Sequence, residues 1–279
     1  MKLVVLSGKG GVGKSSITAS LAVLLSRKKK VVCADCDVDA SNLPLVLGST
    51  ADETYPINAS KKAVISDACT SCKKCFETCY FNAIEWDSKP IITGKCEGCG
   101  TCAVVCPAKA ITLKSFENAI LTIGSGKGID IVAAQLKIGE SGSGKIVNYV
   151  KETAEKRQYD FMLIDAAAGV GCPVIASVKG ADRAMLIVEP TPTSFADMQR
   201  ANTLLDNFNI PSIIVINKCD IGETREIYQF AKEHNIPVVA EIPYEKRFVR
   251  ALVNLRPAIL EFPELEKYFT PILVSLSKK

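Results

Sequence analysis

Along the first forty residues the spacing of apolar positions changes twice. Lys2-Leu-Val-Val-Leu-Ser7 is a short, continuous apolar run bounded by glycines, the pattern of a strand buried on both faces. Gly8 to Gly13 is a turn. From Ser15 to Arg27, Ile17, Leu21, Leu24 and Leu25 fall on one side of a helix. Val31-Val-Cys-Ala34 predicts a second buried strand, ending in the acidic run Asp35-Cys-Asp-Val-Asp39. Strand, helix and strand make a βαβ unit, which requires parallel pairing and a right-handed crossover. After an interruption the alternation resumes: a helix over 144–157, strands over 161–164 and 184–188, a helix over 194–207, a strand over 212–216, a helix over 223–233 and a strand over 238–239. The expected fold class is α/β, a doubly wound, mainly parallel sheet with helices on both faces. Residues 263–279 are mildly amphipathic and predict a closing helix.

The interruption, from about residue 57 to 115, contains an internal repeat. Cys69, Cys72, Cys75, Cys79, Ala83 and Ile84 recur as Cys96, Cys99, Cys102, Cys106, Ala110 and Ile111, each 27 residues further on. Two similar halves about a pseudo-twofold axis are expected. The division that follows is a discontinuous domain of residues 1–57 and 116–279, with a separate α+β module at 58–115.

Two constellations carry chemistry. Gly8-Lys-Gly-Gly-Val-Gly-Lys-Ser15 fits the Walker A pattern and stands between a predicted strand and helix, where a P-loop must stand. Backbone N–H groups of Gly8, Lys9, Gly10, Gly11, Val12 and Gly13 can turn towards phosphate oxygens, with Ser16 in the first helical turn. Lys14 is expected to reach the β- and γ-phosphates and Ser15 to bind Mg²⁺. The second constellation is the doubled Cys-x-x-Cys-x-x-Cys-x-x-x-Cys, the spacing of bacterial two-cluster ferredoxins, in which the fourth cysteine serves the other cluster. Cluster one is then expected on Cys69, Cys72, Cys75 and Cys106. Cluster two is expected on Cys96, Cys99, Cys102 and Cys79. Structural zinc held by Cys-x-x-Cys pairs is the alternative. Pro107 follows the second run, but Tyr80 stands where the first run would carry its proline.

The loop form Gly-Lys-Gly-Gly-Val-Gly-Lys-Ser-Ser resembles the deviant Walker A of the MinD/ParA/nitrogenase-iron-protein class, and the whole chain resembles MinD-superfamily P-loop ATPases with an inserted two-cluster ferredoxin domain. The resemblance implies that Lys9 crosses a homodimer interface to a nucleotide held there by the partner. It assigns Asp37 to positioning the attacking water, and Asp35 and Asp165 to the Mg²⁺ shell. Asp165-Ala-Ala-Ala-Gly169 looks like the second switch of the family, with Ala167 in place of the usual proline. Asn217-Lys-Cys-Asp220 resembles the base-reading motif, and the resemblance favours ATP over GTP. Cys172 lies seven residues after Asp165, at the offset of the interfacial cluster ligand in the nitrogenase iron protein, although a plain loop thiol is the first reading. The implied activity is Mg-dependent ATP hydrolysis coupled to electron transfer through two [4Fe–4S] clusters to a redox partner. An iron–sulfur or metallocluster carrier resembling the Mrp-type scaffolds, with a cluster-accepting partner, is the alternative. A redox-sensing positioning ATPase is a further one.

Bulk properties narrow this picture. A net charge of +4, with Lys28 to Lys30 as the densest basic run, gives no reason to expect nucleic acid. No targeting signal and no apolar stretch near the roughly 20 residues of a membrane span is visible, so a cytoplasmic protein without direct membrane insertion is expected. In that reducing compartment, twelve cysteines point to metal or redox chemistry rather than disulfides. Four lie outside the runs: Cys33 and Cys36, expected as packed thiols, with Cys172 and Cys219.

Overall fold

A computed structural model describes residues 1–140 and 143–277. In chain order the elements begin with β1 (Lys2–Leu6), α1 (Lys14–Ser26), β2 (Val31–Cys36), α2 (Leu43–Leu47), β3 (Thr50–Ile57) and β4 (Ser60–Ile65). The cysteine-rich stretch adds α3 (Lys74–Thr78), β5 (Ile84–Trp86), β6 (Pro90–Ile92), α4 (Thr101–Val104) and β7 (Ile111–Phe116). Then come β8 (Ala119–Gly126), β9 (Ile129–Leu136), α5 (Ser143–Glu155), β10 (Phe161–Ala166), α6 (Cys172–Val178), β11 (Arg183–Val188) and α7 (Pro192–Asn207). The chain continues through β12 (Ser212–Asn217), α8 (Arg225–Glu233), β13 (Val238–Ile242), α9 (Lys246–Val253) and α10 (Ala258–Glu261). A 3-10 turn (Pro263–Tyr268) and α11 (Thr270–Ser277) follow, so the expected closing helix is two pieces, with Lys278 and Lys279 outside the described residues.

Nine strands form one sheet in the order β13-β12-β11-β1-β10-β2-β9-β8-β3. The ladders from β13 to β9 are parallel. Alternation along the strands sorts side chains to two faces. Leu3, Val5, Cys33, Leu163, Met185, Ile187, Ile213 and Val215 pack with α1, α2 and the C-terminal helices. On the other face Val4, Leu6, Val32, Ala34, Met162, Ile164 and Ile214 are equally buried, where α5, α6 and α7 contact β2, β10, β1 and β11. Coverage on both faces explains why the strands read as unbroken apolar runs. It also corrects the one-sided reading of α1: every residue from Ile17 to Leu25 is buried, because α2 and α10 close over its outer side.

Three strands of this sheet, β3, β8 and β9, lie outside the expectation. β8 and β9 form a hairpin whose two-residue turn, Lys127-Gly128, has φ of 56° and 75°. Both values are positive, as a type I′ turn demands. β2 and β10 also run further than expected. Asp35 and Cys36 lie within β2, and Asp165 and Ala166 within β10, paired as Asp35↔Asp165 and Ala166↔Cys36.

Contacts divide the chain into two compact units: Met1–Thr54, Leu121–Gln135 and Ser143–Lys279 form one, Tyr55–Ile120 and Leu136–Gly142 the other. The second unit holds two small antiparallel sheets, β4-β7 and β5-β6, around a buried cluster of Ala63, Cys75, Ile84 and Ile111. Its backbone obeys the 27-residue repeat. Positive φ recurs at Ser71 and Gly98, at Lys73 and Gly100, and at Asn82 and Lys109. The pairing Ile65↔Ile111 recurs with the halves exchanged as Ile84↔Ile92. Likewise Ser66 N–H donates to Ala110 O at 2.8 Å and Thr93 N–H to Ala83 O at 2.9 Å. Exchange of partners between halves is what a pseudo-twofold axis produces.

Candidate functional site

The ends of β1, β2 and β10 bring the P-loop and two acidic positions together. Gly13, the residue before α1, has φ 91°, a left-handed conformation costing a side-chain-bearing residue roughly 1–2 kcal/mol. Gly10, Gly11 and Lys9 are exposed at the crown of the loop, Gly8 is partly buried, and Val12 is buried beneath it. Lys14 is 7% exposed and its Nζ lies 2.7 Å from Asp165 Oδ1. Ser15 Oγ donates to Asp165 Oδ2 at 2.6 Å, and Thr18 Oγ1 to Oδ1 at 3.2 Å. One buried carboxylate thus gathers the P-loop lysine and two hydroxyls.

Asp35 is fully buried beside it. Its Oδ1 accepts from Asp37 N–H at 3.1 Å, and its Oδ2 accepts from Ser41 Oγ at 2.8 Å and Leu43 N–H at 3.0 Å. Burial, and then the nearby Asp165 charge, push its carboxyl well above the ordinary range, while those hydrogen bonds oppose the shift. Asp37 is half-buried; burial raises its carboxyl too, and Lys14 opposes this. Asp39 is exposed. Cys33 and Cys36 are fully buried thiols, both pushed up chiefly by burial, Cys36 to about 12.

Asn217 ends β12 and its side-chain amide donates to Val12 O at 2.7 Å, so it braces the P-loop from below. Lys218 donates to Gly11 O at 3.2 Å and pairs with the buried Glu189. Asp220 accepts from Tyr244 N–H. Beside the loop a cleft of about 130 Å³ is lined by Gly13, Ser16, Asn217, Tyr244, Phe248 and Leu252, among others. Thr18, the Lys218–Glu189 pair and the aromatic wall of Tyr244 and Phe248 were not read from the sequence as site residues. Glu189 does open the Glu-Pro-Thr-Pro run, which was the available signal. Cys172 is exposed at the first position of α6, and Cys219 is half-buried.

In the second unit, Cys79 lines one small apolar cavity with Cys96, Cys99 and Cys102. Cys75 lies within electrostatic reach of Cys69 and Cys72, and Cys102 of Cys96 and Cys99. Ala83 N–H donates to Cys79 Sγ and Ala110 N–H to Cys106 Sγ, both at 3.3 Å. Cys72 and Cys99 are exposed. Among the described residues, no three Cys, His, Asp or Glu side chains gather as a site for a metal ion, and no helix is long and apolar enough to cross a membrane.

Known proteins supply the context. The model of the CobQ/CobB/MinD/ParA nucleotide binding domain matches residues 3–258. The uncharacterized protein MJ0578 of Methanocaldococcus jannaschii is 39% identical over 247 residues, covering 87% of this chain and 86% of that one. The septum site-determining protein MinD of Helicobacter pylori is 23% identical, with 92% of this chain and 83% of that one aligned. Among solved structures, MinD of Pyrococcus horikoshii complexed with Mg-ADP superposes with a TM-score of 0.63 at 20% identity, covering 99% and 96% of the two chains. That likeness is one of fold, a large and mostly parallel α/β sheet. With the matched family model extending over nearly the whole chain, this protein belongs to the CobQ/CobB/MinD/ParA family of P-loop ATPases.

Proposed function

We propose that the chain couples ATP binding and hydrolysis at its P-loop to electron transfer through two [4Fe–4S] clusters carried by the cysteine-rich unit. The observation that carries this reading is the shared cavity of Cys79, Cys96, Cys99 and Cys102. It joins a cysteine of the first run to three of the second, as the ferredoxin spacing requires. The donor chemistry fits iron: four soft thiolates per set, with N–H donors on Cys79 and Cys106 that lower the cost of their charge. A single zinc would need four ligands converging within about 2.3 Å of one point, whereas a cubane meets each thiolate at a different iron. When bound, such clusters supply single-electron carriers. Cluster one falls to Cys69, Cys72, Cys75 and Cys106, and cluster two to Cys79, Cys96, Cys99 and Cys102.

At the P-loop the residues fit a magnesium nucleotide. Asp165 and Ser15, with Asp35 behind them, are hard oxygen donors suited to Mg²⁺ and its water shell. The buried Lys14–Asp165 pair supports this reading, since the lysine offers a cation to phosphate oxygens and the aspartate an anion to the metal. Asp37 orients the attacking water. Lys9, exposed at the crown, is free of the loop's own bracing and acts across a homodimer on the partner's nucleotide. The Tyr244–Phe248 wall of the cleft receives the adenine, with Asn217 and Asp220 near the base. Partners are a second copy of the chain and a redox protein.

Protein prepared without oxygen is expected to hold about eight irons and eight sulfides per chain. Cys79→Ser is expected to disturb the cluster of the second run rather than the first, read by electron paramagnetic resonance. Absence of sulfide, or one zinc per run, overturns the cluster assignment.

A further inference from the structure

Lys151 is 6% exposed and belongs to none of the groups assigned above. From α5 its ammonium donates to the carbonyls of Ala176 at 2.6 Å, Ser177 at 3.1 Å and Lys179 at 2.5 Å. It therefore closes the C-terminal end of α6, where carbonyls lack partners and a positive charge is favoured. At the other end of the same helix, Gly144 of α5 comes close to Cys172: a Cβ at Gly144 would stand 3.3 Å from Cys172 O. Thus α5 grips α6 at both ends.

The place of this grip is informative. The sheet holds Asp35 and Asp165 side by side, but the β2–β10 ladder ends at Ala166↔Cys36. Asp37 and the loop of residues 167–171 lie beyond it. At that end α6 packs against β2 and β10, and within it the fully buried Ser177 hydroxyl donates to Pro173 O at 2.8 Å. Cys36 sits between Asp35 and Asp37, and α6 starts where the loop after Asp165 ends. Buried contacts, Lys151 on the carbonyls at the end of α6 and α6 on β2 and β10, take over where the ladder stops.

We infer that Lys151 is a positioning residue for ATP hydrolysis, holding α6 against β2 so that Asp37 and the loop after Asp165 keep a fixed mutual geometry. The inference rests on the proposed roles of Asp37 and Asp165. A buried cation on three carbonyls costs desolvation that an apolar side chain would avoid, so its presence at this junction marks a demand for geometry rather than for packing alone. Misplacement of reacting groups by about 1 Å is enough to cost a hundredfold in rate.

The test compares Lys151→Met, which keeps the stem and removes the donors, with Lys151→Gln, which restores N–H donors without charge. Single-turnover hydrolysis and nucleotide dissociation constants are measured on the full chain, with Asp37→Ala alongside. The expected order of kcat is wild type, then Gln, then Met, with Met about tenfold down, equivalent to roughly 1.4 kcal/mol. Nucleotide affinity should stay within about twofold, a split that general loosening of the fold would not give. A folded Lys151→Met with wild-type kcat overturns the inference, and so does a parallel loss of kcat and affinity. Should Met fail to fold, Ser177→Ala, which removes the hydroxyl's bond to Pro173 O inside α6, decides: kcat lowered about threefold at unchanged affinity supports the positioning role of α6, and unchanged kcat overturns it. If Asp37→Ala hydrolyses normally, the proposed role of Asp37 fails instead.

Discussion

In the P-loop unit β1, β2, β10, β11 and β12 are buried on both faces, whereas the cysteine-rich unit has a small buried cluster of Ala63, Cys75, Ile84 and Ile111 with Ile65, Ile92 and Leu113 partly buried against it. In the second unit Phe76, Tyr80, Ile91 and Val104 are exposed, Tyr80 by 88%. A segment this small cannot offset its chain entropy with such a core and needs a staple. The difference teaches where each unit keeps its stability: the first in apolar packing, the second, on the proposed reading, in the clusters its eight cysteines would hold. Precision divides in the same way. Around the nucleotide loop, side chains such as Lys14, Asn217 and Lys218 set the geometry; in the cysteine-rich unit the backbone repeat sets it.

The sharpest way to break this comparison is to strip the metal. With an iron chelator under reducing conditions, residues 58–115 are expected to become open to protease while the P-loop unit keeps a cooperative melting transition. Equal resistance of both units would erase the distinction. Next in size, Asp37→Ala is expected to slow hydrolysis about 10²–10⁴-fold while nucleotide is retained, measured by phosphate release and equilibrium binding. A smaller effect follows from Gly13→Ala. The added Cβ would stand 2.6 Å from Asn217 Nδ2 and force a left-handed alanine, costing roughly 1–2 kcal/mol and about tenfold in nucleotide affinity, read by titration calorimetry. Last, Glu189→Gln removes the charge facing Lys218 and is expected to lower Tm by about 2–4 °C, with iron content unchanged.

Much of the first unit was legible because its signals are local. A P-loop needs glycines, a lysine and a serine at fixed spacing, and doubly covered strands are forced to be apolar throughout. The β8–β9 hairpin was not assigned from the sequence, and Gly124 and Gly126 in its first strand weaken the strand pattern there. Gly124 is there for space, since a Cβ would lie 2.2 Å from Thr50 O, a neighbour absent from any local window. The same holds at the site. Lys14, Ser15 and Asp165 announce themselves by motif, while Thr18, Glu189 and Tyr244 acquire meaning only when distant segments meet. Lys151 is an ordinary helical lysine until α6 ends beneath it. In the cysteine-rich unit the repeat was plain in the sequence, but the exchange of hydrogen-bonding partners between halves required three dimensions.

Whether the two units communicate is decided by the reduction potential of the cluster-loaded protein, measured by spectroelectrochemical titration with Mg-ADP and then with a non-hydrolysable Mg-ATP analogue. A shift of the order of 59 mV between them, a tenfold change in a one-electron equilibrium, is the expected result. Identical potentials, together with identical electron-transfer rates in the two nucleotide states, would contradict the coupling.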